Sequence, residues 1–175
     1  MNIPSVRIRR PTPLMATILV CLTLLSLRQQ QPPSVEGGRR YTVSVKRVYD
    51  GDTFETQTGQ RIRLLGIDAP EVAHGAKPAE PFSRESTQWL RRLIGGSDVT
   101  IEEGVVATDR YGRTLAWVFL PDGRLVSELA LESGNARLLS RFGLPLQLEK
   151  RFRLAQESAR LRSAGLWHSS EATLR

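Results

Sequence analysis

Cysteine is nearly absent from this chain of 175 residues: its single copy, Cys21, lies inside an apolar run near the start. The body that follows therefore forms no internal disulfide, offers no thiol nucleophile and has no thiolate ligand for zinc. Histidine is almost as scarce. His74 sits in a loop punctuated by Gly75, Pro78 and Pro81, and His168 stands near the chain end, so neither has a partner for acid–base work. Lysine is confined to Lys46, Lys77 and Lys150, leaving arginine to carry the basic charge. No internal repeat is present.

What remains has the composition of one globular domain, 40% apolar and 25% charged. Of the 25 basic residues, Arg7, Arg9 and Arg10 precede the apolar run; setting them aside leaves 22 against 18 acids, a mildly basic body that suits an anionic polymer. The run Leu14 to Leu27 would span roughly 21 Å as a helix, short of the ~30 Å bilayer core. It reads as an export signal, with an uncleaved membrane anchor as the alternative. The expected layout is 1–27 signal or anchor, 28–38 flexible linker, 39–170 folded domain and 171–175 tail. The domain is expected outside the cytoplasm, periplasmic or extracellular, free or tethered through residues 14–27.

Two acidic blocks dominate the body: Asp50-Gly51-Asp52-Thr53, and Arg63-Leu64-Leu65-Gly66-Ile67-Asp68-Ala69-Pro70-Glu71. Carboxylates this close repel one another and are tolerated when protonated, solvated or neutralised by a cation. A third block, Asp109-Arg110-Tyr111-Gly112-Arg113, adds a second arginine able to fork onto an anionic oxygen. Hard oxygen donors beside two guanidiniums are the parts needed to hold a phosphodiester next to a divalent ion and cleave it.

Hydrophobic alternation predicts strands over 41–49, 53–57, 61–67, 99–103 and 114–120, the last closed by the turn Pro121-Asp122-Gly123. Ser83 is the expected N-cap of a helix carrying Trp89, Leu90, Leu93 and Ile94 on one face and ended by Gly95-Gly96. Ser127 is expected to cap a short helix through Leu131. A longer helix is expected over 146–164, with Leu148, Phe152, Ala155, Ala159 and Leu161 or Arg162 near its buried edge. The fold class is α+β: a five-stranded Greek-key barrel with about three helices.

These three blocks, in this order and spacing, resemble the signatures of the staphylococcal nuclease family, over roughly residues 40–168. Leu166-Trp167 is similar to the family's ending. The resemblance implies an OB-fold barrel and a Ca2+-dependent phosphodiesterase of DNA and/or RNA with low sequence specificity. It implies that Asp52, Asp68 and the carbonyl of Ala69 hold Ca2+, that Glu71 is general base or water positioner, and that Arg63 and Arg113 bind the phosphate. Arg110 and Tyr111 are expected at the substrate; a half-buried strand tyrosine is an equal reading of Tyr111. Many relatives place tyrosines facing the base after a stretch like Gly134-Asn135-Ala136-Arg137. Here Leu138-Leu139-Ser140-Arg141-Phe142 stands instead, so base preference does not carry over. A monomer is expected. The competing function is a catalytically silent OB-fold module that binds nucleic acid or protein; the filled acid and arginine positions favour the enzyme.

Overall fold

The computed structural model describes residues 34–141 and 143–168. The expected leader, the first part of the linker, Phe142 and the tail lie outside the described residues. Five strands close into a barrel in the order β1-β2-β3-β6-β5: β1 (Arg40–Val48), β2 (Thr53–Thr56), β3 (Arg61–Leu64), β5 (Asp98–Thr108) and β6 (Thr114–Phe119). Every neighbouring pair is antiparallel except β3 and β6, whose parallel pairing seals the cylinder. A short ladder of β4 (Ile67–Asp68) and β7 (Arg137–Leu138) sits beside it. Among the described residues three α-helices, α1 (Ser83–Ile94), α2 (Val126–Glu132) and α3 (Leu146–Leu161), and a short 3-10 turn over Gly165–Trp167 complete the fold. This is the expected OB-fold α+β architecture.

Closure buries a core without leaving a free edge. Val45 and Val48 both point inward although three residues apart, because the β1–β2 register shifts between Val45 and Arg47. Phe54, Ile62, Leu64, Ile101 and Val118 fill the interior, and α1 adds Leu90 and Ile94. Phe152 of α3 meets Trp117 of β6 edge-to-face, ring centroids 6.1 Å apart. Its ring also fixes the path into β4. Gly66 has φ +78°, and a Cβ there would lie 2.7 Å from Phe152, so only glycine lets the chain turn over this contact toward Asp68.

Several local expectations are corrected. The N-cap of α1 is Phe82, in the left-handed region at φ 69°, and Ser83 is the first helical residue, buried, its carbonyl accepting the Thr87 hydroxyl at 2.7 Å. Ser127 likewise lies inside α2, where its hydroxyl donates to the Leu65 carbonyl at 2.8 Å and ties the helix to the β3–β4 connection. At Ser127 tertiary packing claims the hydroxyl that local propensity assigns to capping; Ser83 does not cap because the helix already begins at it. Helix α3 ends at Leu161, and Leu161 is 80% exposed rather than on the buried edge. The turn at Pro121-Asp122-Gly123 forms as expected, with Leu120 N–H bonded to the Arg124 carbonyl, and leads into α2.

The end of the expected linker is held on the barrel. One oxygen of the buried Glu102 on β5 accepts from the Ser34 hydroxyl and the N–H groups of Val35, Glu36 and Gly37; Arg40 closes on the other oxygen. Glu36 in turn accepts from Trp117 Nε1 at 3.0 Å and from the Val105 N–H at 3.3 Å. These partners are more than sixty residues apart in sequence, so no local pattern announces the clamp.

Candidate active site

The strand pairing puts the first two blocks face to face. Thr53 at the start of β2 is the register partner of Arg63 on β3, and the Leu64 N–H donates to the Asp52 carbonyl at 2.9 Å. Gly51 lets this turn press against α1: a Cβ would fall 1.9 Å from Ser86 Oγ and 2.6 Å from the Ala69 side chain. Asp52 is therefore buried at 3% exposure. Arg63 reaches around it. Its Nη1 lies 2.8 Å from Asp52 Oδ2 and donates to the carbonyls of Ile67 (3.0 Å) and Leu64 (3.2 Å), while Nη2 donates to Asp68 Oδ1 at 3.0 Å. The Ala69 N–H adds a 2.7 Å bond to Asp52 Oδ2, and the Thr53 hydroxyl a 3.0 Å bond to Oδ1. Asp50 accepts the Asp52 N–H at 2.9 Å and so supports the turn.

Burial pushes the Asp52 carboxyl well above the usual aspartate range; Arg63 pulls against this and the negative charge of Asp50 adds to it. Asp52 thus carries less compensating positive charge than its desolvation demands.

The third block folds into a self-held turn before β6. Asp109 Oδ1 accepts the N–H groups of Tyr111 (2.9 Å) and Arg113 (3.0 Å), and Oδ2 accepts Arg113 Nε at 2.8 Å. Burial raises the Asp109 carboxyl, but the Arg113 backbone and guanidinium bonds outweigh it and hold the group below its ordinary value. Arg113 Nη1 then reaches to 3.5 Å from Thr53 Oγ1. Arg63 thus contacts Asp52 and Arg113 reaches its neighbour Thr53. Tyr111 is 60% exposed, with the guanidiniums of Arg110 and Arg113 at 4.8 and 5.4 Å from its ring centroid.

Arg63, Asp68, Arg110, Tyr111 and Arg113 line one cleft of about 850 Å³. Asp52 and Ala69 lie buried behind Arg63. Glu71 does not line the cleft: it is exposed at the start of the following loop, where its carbonyl accepts the Glu80 N–H at 2.9 Å. The cleft also has walls to which the sequence reading gave no role. Val105 and Val106, where β5 leaves register with β6, stand out at 84% and 65% exposure. Leu139 and Arg141 come from the stretch that departs from the tyrosine pattern, a signal that pointed to them, whereas Glu36 was hidden in the apparent linker.

Among the described residues no group of three His, Cys, Asp or Glu side chains is gathered as a ready-made metal centre. The donor chemistry nonetheless fits a hard divalent cation. The donors are oxygens only, and two carboxylates, Asp52 from the turn before β2 and Asp68 from β4, converge on one guanidinium, the first of them desolvated with its carboxyl raised by burial.

The family described as staphylococcal nuclease homologue matches residues 61–169. Among similar proteins, a thermonuclease of Staphylococcus hyicus is 33% identical over 130 residues, covering 72% of this chain and 75% of the relative. An uncharacterized endonuclease of Escherichia coli O157:H7 is 34% identical over 130 residues, covering 73% and 77%. The "Probable endonuclease LCL3" of Clavispora lusitaniae is 32% identical over 172 residues, covering 78% and 70%.

Proposed function

The chain belongs to the staphylococcal nuclease homologue family, and from that premise we propose that it is a Ca2+-dependent nuclease hydrolysing phosphodiester bonds of DNA and/or RNA with little sequence specificity. One observation carries the reading: Arg63 and Arg113, fifty residues apart, reach the adjacent residues Asp52 and Thr53 at the edge of one cleft.

Asp52, Asp68 and the carbonyl of Ala69 would hold the metal. When bound, a divalent ion polarises a phosphoryl oxygen and neutralises charge, a contribution of several kcal/mol. Arg63 and Arg113 present planar donor forks from two directions, suited to a phosphorus centre whose oxygens gain charge in the transition state. Phosphodiester hydrolysis demands on the order of 20 kcal/mol of stabilisation, so these contributions must act together. Glu71, exposed on the loop leaving Asp68 and outside the cleft lining, would accept a proton from the attacking water once that loop brings it to the cleft. Arg110 and Tyr111 bind a neighbouring phosphate or sugar at the lip. The aliphatic wall of Val105, Val106 and Leu139 gives a base surface to rest on without hydrogen bonds to read it, which supports low specificity. The run Leu14–Leu27 supports action outside the cytoplasm, exported or tethered.

The test is digestion of a single-stranded oligonucleotide with added Ca2+ against EDTA. Cleavage is expected with Ca2+ and none with EDTA, and Glu71→Gln is expected to slow turnover at least ~100-fold with the fold intact by circular dichroism. Chelator-resistant cleavage would overturn the metal assignment. Binding of the oligonucleotide without cleavage under any divalent ion would favour the silent binding module.

A further inference from the structure

Helix α3 buries Leu148, Phe152 and Ala159 and turns the opposite face to solvent. On that outer face Leu146 is 87%, Leu154 60% and Leu161 80% exposed. With Lys150 and Glu157 they form a stripe at spacings of four, four, three and four residues, one above the other on a helix. The other charges of this helix are already engaged. Arg153 pairs with Glu149 at 2.8 Å, Arg151 with Glu128, and Arg160 lies 4.4 Å over the Trp167 ring. Lys150 and Glu157 form no ion pair among the described residues, although both stand in the middle of exposed leucines.

The order of the stripe is Leu, Lys, Leu, Glu, Leu. Reversed and laid on itself about its centre, it sets Leu146 against Leu161, Lys150 against Glu157 and Leu154 against Leu154. We propose that α3 is a self-association surface, on which two copies of this chain pair antiparallel through a two-fold axis near Leu154. A two-fold interface needs this self-complementarity, because each contact occurs twice. A bilayer would have no use for Glu157 at the middle of its apolar stripe, and a purely acidic or purely basic partner would leave one of the two charges opposed. None of the five residues lines the cleft, so the pairing leaves the site open. A helix of 16 residues presents a face only ~24 Å long, less than the roughly 1,200 Å² of buried surface typical of stable complexes. The dimer is therefore weak and concentration-dependent, with Kd roughly micromolar or higher.

Sedimentation velocity of the full-length chain over a concentration series tests this by charge exchange. Lys150→Glu alone and Glu157→Lys alone each set like charges across the axis twice and are expected to weaken association roughly tenfold or more. The combined Lys150→Glu/Glu157→Lys chain is expected to regain wild-type association, a rescue that neither the apolar leader nor another surface would produce. Leu154→Glu is expected to yield a monomer with unchanged nuclease turnover and circular dichroism. A wild-type chain that stays monomeric at every concentration would overturn the proposal. So would association indifferent to the single exchanges, or Leu154→Glu-sensitive binding of phosphatidylglycerol vesicles by a chain that does not self-associate.

Discussion

Asp52 and Glu102 are two acids with almost no solvent exposure in the same barrel, 3% and 0%, and their surroundings treat them in opposite ways. Burial raises both. Around Glu102 the N–H groups of residues 35–37, the Ser34 hydroxyl and Arg40 outweigh it, and the carboxyl is held below its ordinary value. Around Asp52 a single guanidinium shared with Asp68, one N–H and one hydroxyl do not suffice, and Asp50 works against them. A saturated buried carboxylate is a structural rivet. An undersupplied one behind a cleft is a candidate for cation binding, because a bound cation would offset its desolvation.

The sharpest way to break this comparison is to remove the charge of each acid while keeping its shape. Asp52→Asn is expected to reduce turnover by roughly 10³-fold or more, the equivalent of about 4 kcal/mol of lost metal-dependent stabilisation, and to abolish any rise in Tm on adding Ca2+. Oligonucleotide digestion and thermal melts with and without Ca2+ check both. A variant that keeps its Ca2+-dependent shift would show that Asp52 is another rivet.

Glu102 should respond in stability instead. Glu102→Ala strands several donors and the Arg40 charge and is expected to cost about 3–5 kcal/mol; Glu102→Gln, which keeps one acceptor, about 1–3 kcal/mol. Turnover per folded molecule should stay within a few-fold. The pH dependence follows from the sign of the shift. The folded carboxyl sits below the ordinary 4.5, so the unfolded chain takes up the proton first. Its contribution is complete above that value and is lost as pH falls through the folded pKa. Urea titrations from neutral to acid pH should therefore show a shallower acid decline in Glu102→Gln than in the wild type.

The contrast also explains which parts of the molecule were legible in the sequence. The barrel strands announced themselves by alternation, and the acid and arginine blocks by their density, so Arg63, Asp68, Arg110, Tyr111 and Arg113 were found in one cleft as expected. Asp52 and Ala69 were placed beside them through the β2–β3 register, which a short meander nearly forces. What escaped was set by contacts across long stretches of chain. Ser34–Gly37 looks like linker because its partner is Glu102, Ser127 looks like a cap because nothing nearby reveals that Leu65 claims its hydroxyl, and Ser83 looks like a cap although the helix already begins at it. Leu161 fits the apolar edge of α3 by type, yet its helical angle points it outward. Glu71 stands exposed on the loop after Pro70 and outside the cleft lining, so its role as base rests on the family resemblance.

A smaller effect separates the two arginines. Arg63 is fixed by two acids and two carbonyls drawn from several elements, whereas Arg113 is held by one acid of its own turn and only grazes Thr53. Asp109→Asn keeps an acceptor for the backbone N–H groups but removes the ion pair that aims Arg113. Its guanidinium should then sample several orientations, and the loss should fall on the transition state more than on ground-state binding. The expected result is a kcat lowered about tenfold with KM within about twofold, and no change in Ca2+ affinity. If KM rises instead with kcat intact, the turn positions substrate rather than the arginine. If neither moves, Arg113 is aimed from the Thr53 side alone, and the two arginines are more alike than their surroundings suggest.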